Sequence, residues 1–308
     1  MYQRVMVPMD GSEFGEYAIP FALQIAGRMG ADVDLVHVHT PAPDDGLSGI
    51  TPYQFQNAAA HYVEWDRVEF QHDVDRIEEK ARALANESGL SVSARVLSGE
   101  VLHALLSEAE TFHADIIVMA THARTGLQRA RFGSVADLVV RNARMPVLLV
   151  QPSTVDRWRT AAGTYRRILV PLDGSRYSEA VLESAGDFAR SHGAEITLVH
   201  VTKQSNSVAD EYLERVAASS IALGTETRFE TIKAIRVAEG IMEAAERCSA
   251  DLIALATHGR GGLSRLLVGS TANHVLALTQ LPVLLRKPDA SDEARVGQAA
   301  IVGWFPEV

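Results

Sequence analysis

The sequence has a single cysteine, Cys248, among its 308 residues, so it cannot form an internal disulfide bond. The lack of a disulfide framework is typical of proteins in a reducing compartment, and we expect a cytoplasmic protein. Long apolar runs are missing as well: none approaches the roughly 18 residues of a membrane-spanning helix, and the first ten residues do not resemble a signal peptide. We therefore expect no membrane partner.

An excess of basic residues is also absent. The 29 Lys and Arg against 39 Asp and Glu give a formal net charge of -10 at pH 7. Such a chain repels nucleic acid unless basic residues cluster locally, so we expect no nucleic-acid partner. Hydrophobic residues make up 47% of the chain and charged residues 22%, as in globular proteins, and the length is enough for two domains.

Two matched segments show that the sequence is a tandem repeat of two copies. Asp10 in Val-Pro-Met-Asp-Gly-Ser recurs as Asp173 in Val-Pro-Leu-Asp-Gly-Ser, 163 residues later (173 minus 10). Gly133 of a Gly-Ser pair recurs as Gly269, only 136 residues later (269 minus 133). The first copy therefore carries about 27 extra residues (163 minus 136), an insertion around residues 40–70. We predict a first domain at 1–152, a linker at 153–164, a second domain at 165–288 and a tail at 289–308.

Each copy alternates strands with helices. In the first copy the apolar pattern predicts strands at about 4–9, 33–39, 92–97, 115–120 and 147–150, and helices at about 17–29, 66–88, 100–112 and 134–142. This alternation predicts an α/β fold of two tandem domains, each a doubly wound, Rossmann-like parallel sheet of five strands. In such sheets, ligands bind beyond the carboxyl ends of the strands, where the strand order reverses.

One loop at such a strand end follows the first strand of each copy. There Asp10, and likewise Asp173, is followed by Gly-Ser at the start of a helix. An aspartate beside free helix amides suits a ligand site, but Asp and Ser can equally shape the turn and cap the helix. These residues alone leave both interpretations open.

The loop after the fourth strand is rich in glycine in the second copy. Gly259, Gly261, Gly262 and Gly269 let the backbone approach an anion closely, and Gly269 opens a helix. Two arginines lie in the same loop, so the combination favours a phosphate site over a glycine-rich surface turn. The loop is neither a P-loop, which needs Gly-Lys-Ser/Thr, nor a dinucleotide fingerprint, which follows the first strand.

The sequence offers no repeated catalytic or metal-binding constellation. His37 and His39 share one strand face, but Thr202 replaces the second histidine in the other copy, and no further zinc ligands can be assigned. No Ser-His-Asp or Cys-His order occurs in both copies. We expect these histidines to be core or edge residues, and we expect no metal site and no catalytic residues.

These motifs resemble those of the universal stress protein (UspA-like) family, in tandem form. Its ATP-binding members carry Gly-x-x-Gly, nine residues and then Gly-Ser/Thr after the fourth strand. Gly259, nine residues and Gly269-Ser270 match that frame, whereas Ala256 stands in place of the leading glycine. In the first copy both leading glycines are alanine, Ala120 and Ala123.

The resemblance implies that Asp10 and Asp173 lie at the ribose and the adjacent metal or phosphate, and that the backbone at Val38 and Val201 meets adenine. The ATP site that it implies in the second copy comprises Pro171, Leu172, Asp173, Gly174, Val201, Ala256, His258, Gly259, Arg260, Gly262, Gly269, Ser270 and Thr271. The corresponding, degenerate site in the first copy comprises Pro8, Met9, Asp10, Gly11, Val38, Ala120, His122, Ala123, Arg124, Gly133, Ser134 and Val135.

The resemblance also implies a regulatory role in stress, with ATP as ligand and Mg²⁺ carried by the nucleotide. We expect the second copy to bind ATP more tightly, because the first has alanine at both leading positions. The last strands, 147–150 and 283–286, are expected to pair in an intramolecular pseudo-dimer, and we expect a homodimer. Two alternatives stay open: a slow ATPase, with Asp173 as the one obvious base, and a nucleotide-independent interaction scaffold favoured by the alanines and by the apolar tail.

Overall fold

The computed structural model describes residues 2–41, 52–121, 133–151, 165–203, 207–222, 224–257 and 269–288, apart from the side chains of 52–62 and 221–222. The strands are β1 (Arg4–Met9), β2 (Asp32–His39), β3 (Val92–Ser98), β4 (Ile116–Ala120), β5 (Val147–Val150), β6 (Arg167–Pro171), β7 (Glu195–Thr202), β8 (Thr227–Lys233), β9 (Leu252–Ala256) and β10 (Val283–Arg286). The helices are α1 (Glu13–Glu16), α2 (Ile19–Met29), α3 (Pro52–Ser88), α4 (Val101–Thr111), α5 (Ser134–Asn142), α6 (Arg176–Glu179), α7 (Val181–His192), α8 (Ser207–Ala222), α9 (Val237–Arg247) and α10 (Ser270–Leu278).

The strands form one ten-stranded sheet in the order β3-β2-β1-β4-β5-β10-β9-β6-β7-β8. Within each copy the paired strands are parallel, which confirms the predicted α/β fold. The copies join where β5 and β10 pair antiparallel, with Leu148 opposite Leu284. Because each of these strands covers the edge of the other, the expected intramolecular pairing leaves neither edge open.

The chain reverses direction across the sheet at one point in each copy. It runs from β1 outward to β2 and β3 and then returns to β4 on the other side of β1. The second copy does the same around β6 and β9. The gaps between the carboxyl ends of β1 and β4, and of β6 and β9, are therefore the switch points at which a doubly wound sheet binds its ligands.

Apolar side chains cover both faces of the sheet. One cluster contains Phe21 of α2 and Phe188 of α7, and the other contains Ile117 of β4 and Ile253 of β9, so both clusters draw on both copies. Neighbouring residues of β4 are fully buried on opposite faces, as predicted for a central parallel strand. The two copies therefore share one continuous core on each side of the sheet.

Polar contacts also cross between the copies. The Tyr2 hydroxyl donates to the carbonyl of Ser184 at 3.1 Å, and Gln151 Nε2 donates to the carbonyl of Leu276 at 2.9 Å. Both contacts are buried, where a hydrogen bond left unmade is costly. They add directional constraints to the shared apolar core.

Two predicted helices differ from the structure. The apolar stripe predicts one helix over about 17–29, but the chain forms α1 and then α2 from Ile19. The helix predicted at about 66–88 begins at Pro52, so the insertion lengthens α3 to 37 residues, against 16 in α8. The predicted linker at 153–164 and the predicted tail at 289–308 lie outside the described residues. No described helix is long and apolar enough to cross a bilayer.

The turns before β4 and β9 each hold a side-chain-bearing residue in the left-handed region. His113 has φ 53° and Ser249 has φ 50°, and both are exposed. This region costs an L-residue about 1 kcal/mol but costs glycine almost nothing. We predict that His113→Gly raises the free energy of unfolding by about 0.5–1 kcal/mol, measured by urea denaturation. The control His103→Gly, at an exposed position inside α4, should lower the free energy of unfolding by a similar amount. Equal losses of stability in both variants would contradict the prediction.

Candidate functional site

The turn after β1 is built by its aspartate. Asp10 Oδ1 accepts hydrogen bonds from the backbone N–H of Ser12 at 3.0 Å and from its hydroxyl at 2.6 Å. Ser12 Oγ in turn accepts from the N–H of Gly15 at 3.2 Å and so caps α1. Gly11 between them has φ +77°, a conformation that glycine adopts without strain.

The second copy repeats this turn almost atom for atom. Asp173 Oδ1 accepts from the N–H of Ser175 at 2.9 Å and from its hydroxyl at 2.5 Å, and Gly174 has φ +84°. Ser175 Oγ caps α6 by accepting from the N–H of Ser178 at 3.2 Å. The turn-shaping interpretation of these aspartates is therefore correct, and it does not exclude a ligand role.

A cavity of about 670 Å³ opens at the switch point of the first copy. Its volume is typical of small-molecule sites. It is bordered by the ends of β1, β2 and β4 and by the first turns of α4 and α5. Its lining residues are Pro8, Met9, Asp10, Gly15, His37, Val38, Thr40, Val101, Leu105, Met119, Ala120, Gly133, Ser134, Val135 and Ala136.

The first turn of α5 borders this cavity, which Gly133, Ser134, Val135 and Ala136 help to line. Gly133 is the N-cap residue, with φ −52° and ψ 144°, and because it is a glycine it makes no side-chain cap to the helix. A Cβ added at Gly133 would meet no atom of the described residues within 4 Å. The uncapped amides and the helix dipole favour an anion here. In the second copy the N–H of Gly269 donates to the carbonyl of Thr257 at 2.7 Å, which anchors the start of α10 beside the end of β9.

Most of the site residues predicted for the first copy come together. The cavity is lined by Pro8, Met9, Asp10, Val38, Ala120, Gly133, Ser134 and Val135. Gly11 lies in the adjoining turn, close to the guanidinium of Arg76: its Nη1 is 2.9 Å from where a Cβ on Gly11 would lie. His122, Ala123 and Arg124 lie outside the described residues.

The residues predicted for the second copy occupy the matching positions of the fold. The ends of β6, β7 and β9, the turn after β6 and the start of α10 carry Pro171, Leu172, Asp173, Gly174, Val201, Ala256, Gly269, Ser270 and Thr271. His258, Gly259, Arg260 and Gly262, which carry most of the predicted phosphate loop, lie outside the described residues.

The sequence did not predict the partners of the two β2 histidines. His37 Nδ1 lies 2.8 Å from the carbonyl oxygen of Met9, and its Nε2 lies 3.2 Å from Asp73 Oδ2. His39 Nδ1 lies 2.9 Å from the same Asp73 oxygen, and its Nε2 lies 3.2 Å from Asp66 Oδ1. Both aspartates belong to α3, so the lengthened helix is attached to β2 through these histidines. A signal was present, because Asp66 and Asp73 are seven residues apart and therefore share one helix face.

The carboxylates change the protonation of this cluster. Burial alone lowers the pKa of His39, but its hydrogen bonds to Asp73 and Asp66 and their charges outweigh burial and raise the pKa above its ordinary value. For Asp73, burial raises the pKa, but the hydrogen bond to His39 and the charges of His37 and Arg76 lower it below its ordinary value. In the described parts of the chain, no group of three or more His, Cys, Asp or Glu could hold a metal ion.

The fold and cavity define the chain as a tandem α/β protein with a ligand-sized cavity at the switch point of a doubly wound sheet. The sequence model of the Universal stress protein family matches residues 1–151 and 164–287. The chain belongs to the universal stress protein family, with two copies of its domain.

Relatives match both one copy and the whole chain. A universal stress protein of Methanocaldococcus jannaschii is 31% identical over 151 residues, which cover 49% of this chain and 83% of that protein. A universal stress protein of Mycolicibacterium smegmatis is 24% identical over 297 residues, and the match covers 92% of this chain and 97% of that protein. The crystal structure of a universal stress protein from Archaeoglobus fulgidus superposes with a TM-score of 0.68 at 19% identity, over 94% of this chain and 97% of that chain. At this identity the likeness supports the fold and nothing further.

Proposed function

We propose that this protein binds ATP and acts as a regulatory protein in a stress response. The observation that carries the proposal is the cavity at the switch point of the first copy, where apolar walls, a carboxylate and free helix amides converge. Each of the three suits a different part of an adenine nucleotide.

The apolar part of the cavity suits the base. Met9, Val38, Val101 and Leu105 line it, and a planar aromatic ring buries its surface well between such side chains. Val38 is the next-to-last residue of β2 and lies one residue beyond the last β1–β2 pair, Met9 with His37, so its backbone lies at the cavity where the base would bind.

The polar part of the cavity suits the ribose and the phosphates. Asp10 is an exposed carboxylate that can accept hydrogen bonds from sugar hydroxyls, and oxygen ligands of this kind suit Mg²⁺ carried by the nucleotide. The amides at Gly133 and Ser134 suit a phosphate. Asp173, Gly269 and Ser270 occupy the same places in the second copy, so we assign it the same ligand.

We predict that the second copy binds ATP more tightly than the first. Ala120 and Ala256 end strands β4 and β9 in the two copies, so the copies differ at the second leading position, where the first has Ala123 and the second has Gly259. An alanine forced to positive φ costs about 1 kcal/mol, or roughly a fivefold loss of affinity. Calorimetry of ATP with the full chain should therefore give two unequal sites; equal affinities would contradict this prediction.

A slow ATPase is the second candidate. Hydrolysis needs a base and an aligned water, and Asp173 is the carboxylate at the switch point of the second copy. Its Oδ1 is engaged by Ser175, which favours a structural over a catalytic role. Steady-state phosphate release from the full chain should therefore stay at the background rate and be unchanged in Asp173→Ala; release that is lost in this variant would favour the enzyme.

A further inference from the structure

We propose that ligand binding in the first cavity is proton-linked, through a latch in which His37 and His39 of β2 hold Asp66 and Asp73 of α3. The proposal rests on the proposed function, because the ligand is taken to be the adenine nucleotide. Asp66 lies in the insertion that distinguishes the first copy from the second, and Asp73 lies just after it.

The latch needs more hydrogens than neutral histidines carry. Both ring nitrogens of His37 face an acceptor, the carbonyl oxygen of Met9 and Asp73 Oδ2. Both ring nitrogens of His39 face a carboxylate, Asp73 on one side and Asp66 on the other. A neutral imidazole has one N–H and one lone pair, so it can donate to only one of its two acceptors. All four contacts are made only when both rings are protonated.

The carboxylates around His39 favour its protonated form. From α3 the rings face Asp66 and Asp73, and Arg76 binds the other oxygen of Asp73 at 2.6 Å. The β1 neighbour of His37 is Met9, and the β3 neighbours of the two histidines are the uncharged Val96 and Ser98. The carboxylate of Asp10, next along from Met9, is bound within its own turn. The edge of the Phe70 ring packs against His39 and limits access of water.

The latch is connected to the cavity at two points. His37 lines the cavity and holds the carbonyl of Met9, which precedes Asp10 in the cavity wall. Asp73 also holds Arg76, whose guanidinium lies against Gly11 in the same turn. A closed latch therefore fixes the wall that would contact the ribose and adds positive charge beside an anionic ligand. Both effects strengthen binding of a nucleotide.

The second copy keeps the contact between the first histidine and a strand carbonyl, but it has no counterpart of His39. His200 Nδ1 lies 2.9 Å from the carbonyl of Leu172, as His37 does with Met9. Thr202 stands in place of His39, and α8 is 16 residues long against the 37 of α3. The second copy is thus an internal reference for the same site without the second histidine.

The direction of the effect follows from the raised pKa of His39. The two contacts of His39 are complete below the ordinary histidine pKa of about 6.5 and are lost as the pH rises through the raised value. ATP affinity in the first copy should therefore fall by about fivefold between about pH 6 and about pH 8, the lower end of the usual range for coupling between two sites.

The test compares the full chain with His39→Thr, which gives the first copy the residue found in the second. Calorimetry with ATP and Mg²⁺ at both pH values should show the fivefold loss at the weaker site of the wild-type chain and little loss in His39→Thr. The variant also corrects for the proton that the nucleotide phosphates take up in this range. Gly133→Val, which blocks the first cavity, should remove the pH-dependent site and leave the other.

A second readout does not depend on the ligand. NMR titration of ¹⁵N-labelled imidazoles should show His39 losing its proton above the ordinary histidine pKa of about 6.5 in the wild-type chain, and below it in Asp66→Asn with Asp73→Asn, where only burial remains. The same pH dependence of ATP affinity in wild type and His39→Thr, or an ordinary titration of His39, would overturn the latch and leave the proposed function intact. No ATP binding at either pH would instead overturn the proposed function, and the proton-linked binding with it.

Discussion

Gly133→Val and Gly269→Val should each silence one nucleotide site of the full chain and leave the other unchanged. Each glycine stands at the N-cap of the helix whose amides face the proposed phosphates. At Gly133 a Cβ projects into open space and the backbone has φ −52°, so valine fits the fold but occupies the space of the ligand. We expect a loss of at least about a hundredfold in affinity at the altered site, equivalent to about 3 kcal/mol.

The two variants are controls for each other. Calorimetry should show only the weaker site in Gly269→Val, only the tighter site in Gly133→Val, and neither in the double variant. Urea denaturation should show a loss of no more than about 1 kcal/mol in Gly133→Val, the cost of valine at an N-cap, because no described atom lies within reach of the new Cβ. If either single variant retained both sites, the amides of α5 and α10 would not be the phosphate sites.

Leu148→Ala should destabilise both copies together. Leu148 is fully buried at the centre of the ten-stranded sheet, directly opposite Leu284 of the other copy. Removing a buried leucine side chain costs about 3 kcal/mol, through lost burial and the cavity left behind. Because the two apolar clusters include residues from both copies, we expect one cooperative urea transition that shifts as a whole.

The matched control is Leu138→Ala, at a leucine of α5 that is 41% exposed, where the loss should stay below about 1 kcal/mol. Leu284→Ala should reproduce the effect of Leu148→Ala from the other side of the junction. Two separate transitions, of which Leu148→Ala shifts only the first copy, would show that the copies are independent domains.

The strands of this fold could be predicted because most of them are short apolar runs bounded by turns. β4 and β5 are almost wholly apolar, as strands buried on both faces must be. The constant offsets between matched motifs then predicted the elements of the second copy from those of the first. The division of the first helix was missed because Tyr17 continues the apolar stripe across the break. Pro20 was the available signal, since proline lacks an N–H and is tolerated only in the first turn of a helix.

The site was predictable only where its residues are neighbours in sequence. Asp10 with Gly11, and Gly133 with Ser134, are local motifs of the first copy, and the structure brings the two motifs together at one cavity. The latch joins β2 to a helix about 30 residues further on, and both its aspartates could equally have been solvated helix residues. Spacing along α3 showed that they share a face, but not that this face packs on β2.

The central claim is that this chain binds an adenine nucleotide at its switch points. It is tested most directly by mass spectrometry of small molecules released when the full chain is denatured after incubation with ATP and Mg²⁺ and rapid removal of unbound nucleotide. We expect bound adenine nucleotide in the wild-type chain and none in the Gly133→Val, Gly269→Val double variant. No released nucleotide from the wild-type chain, or equal amounts from both proteins, would contradict it.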